Sequence, residues 1–297
     1  MKYPLFSQCL IIAISATQLL SSNTALRPNN RQLTYAFTNE PIDVVIPAIS
    51  KDLATLDLCI EGIKKNGQNI RSIYVVSPTQ LTQKAYWIDE KMFPFSKKDV
   101  ASTIFGNETK ALGYLSKPGN RIGWIYQQLL KLYVPFVVPG ISSNILLLDA
   151  DTIFLKPVSF LNEKGEPLFN TNTTHYESYF KHAKRLLPGF KKIFSKFSGI
   201  CHHMLIQKSV IEHLFSIIEK EHGMKPWQAI CKCVDIKEID KASLSEYEIY
   251  FNFIFTTSQQ AHIRRLTWKN LPSLEKISSY KAQGYDYVSC HAWMRGE

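Results

Sequence analysis

NILLLDADTIFLKP, residues Asn144 to Pro157, is the stretch whose reading decides the fold. Ile145 to Leu148 form an apolar run too short for a helix and bounded by polar residues, the signature of a strand buried on both faces. The run ends in Asp149-Ala150-Asp151, so two carboxylates fall at the carboxyl end of a buried strand, where open α/β sheets bind ligands. Residues i and i+2 of an extended chain point the same way, unless a turn after Asp149 re-aims them. Two hard oxygen ligands beside a crevice suit Mg²⁺ or Mn²⁺ shared with a diphosphate. A bare D-x-D also serves as a turn or cap. Here it stands between two apolar runs, Ile145–Leu148 and Ile153–Leu155, with Lys156-Pro157 behind.

Working outward, Ile42 to Ile49 forms a second apolar strand, followed by Ser50 or Asp52 as helix cap. Leu53, Leu56, Ile60 and Ile63 recur at helical spacing until Asn66-Gly67, and Ile70 to Val76 supplies the next strand. Strand, helix and strand within about 35 residues make a βαβ unit and require a parallel sheet. Residues 80 to 120 read only as helix fragments and loops. Arg121 to Tyr133 carries a broad apolar stripe and predicts an amphipathic helix ending before Pro135. Gly165 to Pro188, polar and aromatic with His175, Tyr176, His182 and Arg185, reads as a variable-looking loop region, suited to recognising a ligand or merely exposed. Glu212 to Glu221 reads as a surface helix.

Taken in order, DVVIPAISKD, GWIYQQLLKLY, LLLDADTIFLKP, SGICHHML, LSEYEIYFNF and YVSCHAW resemble the GT-A glycosyltransferases with a DxD motif. More narrowly, they resemble an uncharacterised glycosyltransferase-like family among the nucleotide-diphospho-sugar transferases, over most of residues 40 to 293. The resemblance implies an α/β fold in one domain over residues 40 to 297, a GT-A (Rossmann-like), mostly parallel central sheet with helices on both faces. It implies a nucleotide-diphosphate sugar donor, a glycan or other hydroxyl acceptor, and Mn²⁺ or Mg²⁺ held by Asp149, Asp151 and His291. Pro47 and Ala48 are expected to line the nucleotide pocket, with Asp52 either there or simply capping a helix. Arg121, Gln127, Gln128 and Lys131 are expected near the donor, or else on a solvated helix face. Of the adjacent His202 and His203 at most one can face the site, and His203 is taken as the candidate for hydrogen bonds to sugar or phosphate. The Ser198-Gly199 pair is expected to bring backbone close to a sugar. Glu246 is the candidate base toward an acceptor hydroxyl. Against that stands capping-box spacing, Ser243 with Glu246 or Ser245 with Glu248. A catalytically inactive carbohydrate-binding protein would keep the same residues. A haloacid-dehalogenase-like phosphatase also uses D-x-D, but at the start of its core domain and with a later acidic pair that is missing here.

The chain has 297 residues, 45% of them hydrophobic, enough to bury one large core. Its net charge of +10, from 35 Lys and Arg against 25 Asp and Glu, favours anionic partners. The basic residues are dispersed and no nucleic-acid module is present, so nucleic acid is not expected as a partner. Residues 1 to 25 read as a signal peptide or short membrane anchor, because the apolar run is about 12 residues where a spanning helix needs about 20. With the sequons at Asn107 and Asn172, this points to the Golgi or ER lumen if the source is eukaryotic. Outside that segment five cysteines remain, an odd number that argues against a disulfide framework. Cys231-Lys232-Cys233 is too tight for a structural zinc pair.

Overall fold

The computed structural model describes residues 32 to 296; the expected targeting segment lies outside them. The elements in chain order are β1 (Ile42–Pro47), α1 (Leu53–Asn66), β2 (Ile70–Ser77), β3 (Tyr86–Asp89), α2 (Lys97–Phe105), α3 (Glu108–Leu115), α4 (Ile122–Val137), β4 (Asn144–Leu148), β5 (Thr152–Phe154) and β6 (Leu168–Phe169). They continue with α5 (Glu177–Leu186), β7 (His203–Gln207), α6 (Lys208–His222), α7 (Pro226–Lys232), α8 (Glu246–Thr257), β8 (His262–Ile263), β9 (Trp268–Asn270), α9 (Ile277–Ala282), β10 (Tyr287–Ser289) and α10 (Ala292–Arg295).

The central sheet has the order β3-β2-β1-β4-β7. All its pairings are parallel except β4 with β7. Successive residues of the inner strands alternate between two cores. Val45, Ile145, Leu147, Met204 and Ile206 face one, while Val44, Ile46, Leu146, Leu148 and Leu205 face the other. That two-sided burial is why β4 is a continuous apolar run rather than an alternating one. Helices α2 to α8 cover the first face, and α1 with the small sheet β5-β10-β9 covers the second. The architecture is therefore mixed α/β with a mostly parallel sheet and helices on both faces, as the resemblance implied.

Several local expectations change. Asp52 does not cap α1 with its side chain; its carboxylate accepts instead from the Ile49 N–H at 2.9 Å, closing the short turn before the helix. Helix α4 runs on through Pro135 to Val137. In the last turn the proline ring forfeits only one i→i−4 bond, and Val134 and Pro135 are buried, so packing outweighs the break. The stretch read as a loop from Gly165 to Pro188 contains α5, whose Phe180, Ala183 and Leu186 are buried. His182 of the same helix is fully buried, with Nε2 2.9 Å from the Ile230 carbonyl. The five cysteines among the described residues are free and buried. None of the described helices is long and apolar enough to cross a membrane.

Candidate functional site

Chain order leaves β1 between β2 and β4, so the connections diverge at the β1/β4 boundary and open a crevice at their carboxyl ends. A pocket of about 600 Å³ lies there, bordered by Pro47 and Ala48 after β1 and by Asp149 and Asp151 after β4. The backbone turns at once: the Asp149 N–H donates to the His202 carbonyl at 2.9 Å and the Thr152 N–H to the Asp149 carbonyl at 3.0 Å. The two carboxylates consequently have separate partners, one set on α4 and α8 and the other around β10.

Asp149 turns toward α4 and α8. Its Oδ1 accepts from Lys131 Nζ at 2.7 Å and from the Tyr247 hydroxyl at 3.3 Å. Lys131 is 2% exposed and also donates to Glu246 Oε1 at 2.9 Å and to Tyr247 at 3.2 Å. Gln128, with its amide oriented to satisfy both groups, donates to the Glu246 carboxylate. Burial pulls the Lys131 pKa down, but the two carboxylates more than offset this and hold it well above the usual lysine value. Burial raises the Glu246 pKa against the opposing pull of Lys131. Lys131 lines the pocket, yet its ammonium is committed to two carboxylates and a phenol rather than held out for phosphate. Glu246 opens α8 as expected, while Ser245 provides the cap by accepting from the Glu248 N–H.

Asp151 turns toward β10. Ser289 Oγ donates to its Oδ1 at 2.8 Å, and His291 Nδ1 lies 2.7 Å from Oδ2. Burial would raise this carboxyl's pKa, but the hydrogen bond and charge of His291, with Ser289, hold it down to about 2. Conversely the His291 pKa, depressed by burial, is raised overall by Asp151. Two carboxylates and an imidazole lining one pocket are, as a donor set, of the kind that suits a hard divalent ion. Among the described residues, however, no three His, Cys, Asp or Glu side chains converge as a ready cage.

His203 is a correction. As adjacent residues alternate, His202 lines the pocket whereas His203 faces the second core, packed against Phe154 at 5.2 Å, Tyr287 at 5.2 Å and Phe160 at 5.6 Å between ring centroids. Both ring nitrogens of His203 lack partners, and burial holds its pKa well below the ordinary value. His202 packs 4.8 Å from Trp268 and 5.2 Å from His291, with burial lowering its pKa to about 4. The Ser198-Gly199 pair serves helix packing rather than a sugar: Ser198 donates to Glu248, and a Cβ on Gly199 would lie 2.5 Å from the Phe251 Cβ.

Arg121, Trp124, Gln127, Gln128 and Lys131 lie on one face of α4 and its cap, and all line the pocket. Arg121 stacks over Trp124 at 4.8 Å, and Gln127 Nε2 lies 3.5 Å from the Pro47 carbonyl. Sequence reasoning gave Trp124 to the apolar stripe and passed over Tyr179 and Tyr247. The spacing 121, 124, 128, 131 was the available signal for Trp124; Tyr179 lay in a stretch taken for loop. Asn172, the second sequon, also lines the pocket.

Among curated proteins no match is found. Among solved structures the chain is similar to mouse xyloside xylosyltransferase 1 in its apo form, with a TM-score of 0.40 and 10% identity, covering 84% of this chain and 97% of that one. A family model described as a family of unknown function (DUF6492) matches residues 39–283, and the chain belongs to that family.

Proposed function

We propose that this protein is a metal-dependent glycosyltransferase that moves a sugar from a nucleotide-diphosphate donor to an acceptor hydroxyl. The observation that carries the reading is the Asp149-Ala150-Asp151 turn at the carboxyl ends of the switch-point strands, with His291 bonded to Asp151 in the same pocket. Asp149, Asp151 and His291 are the residues that would hold Mn²⁺ or Mg²⁺, which when bound supplies Lewis-acid neutralisation of charge on a leaving diphosphate. Pro47 and Ala48 bound the donor side, and Arg121 brings a cation to the same pocket. Lys131 fixes Asp149 from behind and so holds one oxygen of that carboxylate in place.

A second reading, binding without turnover, is favoured by the engagement of Glu246 with Lys131, which leaves the candidate base tied in an ion pair. Nucleotide release from UDP-, GDP- and CDP-sugars, with Mn²⁺ or with EDTA, tests both. Metal-dependent release with one donor, lost in Asp151→Asn, is the expected result. Donor binding by calorimetry with no release under any condition would transfer the assignment to the binding protein.

A further inference from the structure

We propose that the pocket wall formed by Arg121, Trp124, Tyr176 and Tyr179 is an acceptor subsite and that its ligand is a saccharide. The proposal rests on the transferase reading above and names its acceptor class. The pocket has two halves. The ends of β1 and β2, through Pro47, Ala48 and Val76, border one. The segment from Asn172 to Tyr179, which leads toward β7 at the other end of the strand order, borders the second.

On this second half the four side chains form a continuous ladder. The Arg121 guanidinium lies 4.8 Å from the Trp124 ring, Trp124 stacks with Tyr179 at 6.3 Å and 19°, and Tyr179 meets Tyr176 edge-on at 5.2 Å. Tyr176 is 47% exposed and Trp124 half-buried, so ring surface stays open inside the pocket instead of being used up in the core. A sugar ring offers the matching chemistry. Its C–H face packs on the electron-rich face of an aromatic ring, and its hydroxyls need polar partners around the edge. Asn172 and Thr174, joined at 2.9 Å, stand on the same wall. Arg121 Nε is buried without a hydrogen-bond partner. A buried donor left unpaired is destabilising, and a ligand oxygen would satisfy it. The wall also adjoins the Asp149 cluster, since the Tyr179 phenol is pushed up first by burial and then by the neighbouring Glu246 charge.

The test uses the full chain on an array of immobilised neutral and acidic oligosaccharides alongside Ser- and Thr-containing peptides. The unmutated protein is expected to bind a subset of the glycans. Tyr176→Ala is expected to weaken that binding at least tenfold with the melting temperature unchanged, and Tyr176→Phe, which keeps the ring face, to restore it. Absence of glycan binding, preference for the peptides, or glycan affinity equal in Tyr176→Ala and the unmutated protein would overturn the proposal. The two readings fail separately. Glycan binding without nucleotide release from any donor removes the transferase and leaves the subsite; metal-dependent release without glycan binding does the reverse.

Discussion

One imidazole on the buried face of α5 makes the fold sensitive to acid. His182 is fully buried against the Ile230 carbonyl, and burial lowers its pKa to about 4. An unfolded histidine takes up its proton near pH 6.5. Between those values the unfolded state binds a proton that the native state refuses. Stability is therefore intact above about pH 6.5, falls as pH drops toward 4, and levels off below. At about 1.4 kcal/mol per pH unit for one proton, the loss approaches about 3 kcal/mol. Urea unfolding of the unmutated protein and of His182→Gln at pH 7 and pH 4.5 measures it. The unmutated protein should lose about 2–3 kcal/mol more than the variant. Equal losses would mean that His182 does not couple folding to pH.

At the scale of elements, α8 and the loop before β7 are fitted to each other by a missing side chain. Gly199 lies so close that a Cβ there would sit 2.5 Å from the Phe251 Cβ and 2.6 Å from its Cγ. Ser198 and Asn252 both donate to the Glu248 carboxylate beside this contact. Gly199→Ala should therefore push the loop off α8 and destabilise the protein by about 1–3 kcal/mol, the usual range for overpacking, read as a fall in melting temperature. The flanking Ser198→Ala loses two hydrogen bonds, one donated to Glu248 and one accepted from the Ile200 N–H, but adds no atom, and should shift it less.

Such contacts explain what the sequence could and could not disclose. Strand β4, helix α1 and the βαβ unit were legible because their patterns are local: a run buried on both faces, a 3.6-residue stripe and an Asn-Gly stop after it. The positions of Asp149, Asp151, Glu246 and His291 around the pocket were legible because each follows a strand or opens a helix. The Lys131 cluster was not, because its partners come from residues 131, 149 and 246, and no local pattern records that they meet. The choice between His202 and His203 was hidden because alternation shows only that they part, while the partner sheet decides which side is core. Helix α5 was missed because its polar face dominated a stretch whose buried stripe is only Tyr179, Phe180, His182, Ala183 and Leu186.

At the scale of the whole molecule, Lys131 joins three separate parts of the chain: α4, the turn after β4, and the start of α8. Its side chain is 3% exposed and that of Glu246 is 3% exposed, so their charges have little water to fall back on. The net charge of the three groups is −1, with Lys131 as the only cation among them. Removing one partner of a buried pair strands the remainder and typically costs about 3–5 kcal/mol. Lys131→Met should lose an amount in that range, leaving Glu246 and Asp149 side by side without compensation. Glu246→Gln should lose less, because Asp149 still neutralises the ammonium. The double variant should recover part of the sum, since with the Glu246 charge gone only Asp149, which is 29% exposed, remains to be solvated. Urea unfolding of the four proteins gives the coupling energy directly, and coupling above about 1 kcal/mol is expected for charges in contact. If the two single losses add to within about 0.5 kcal/mol, the range found for independent sites, the ion pair does not bind α4 to α8, and the pocket floor is held by the surrounding apolar packing alone.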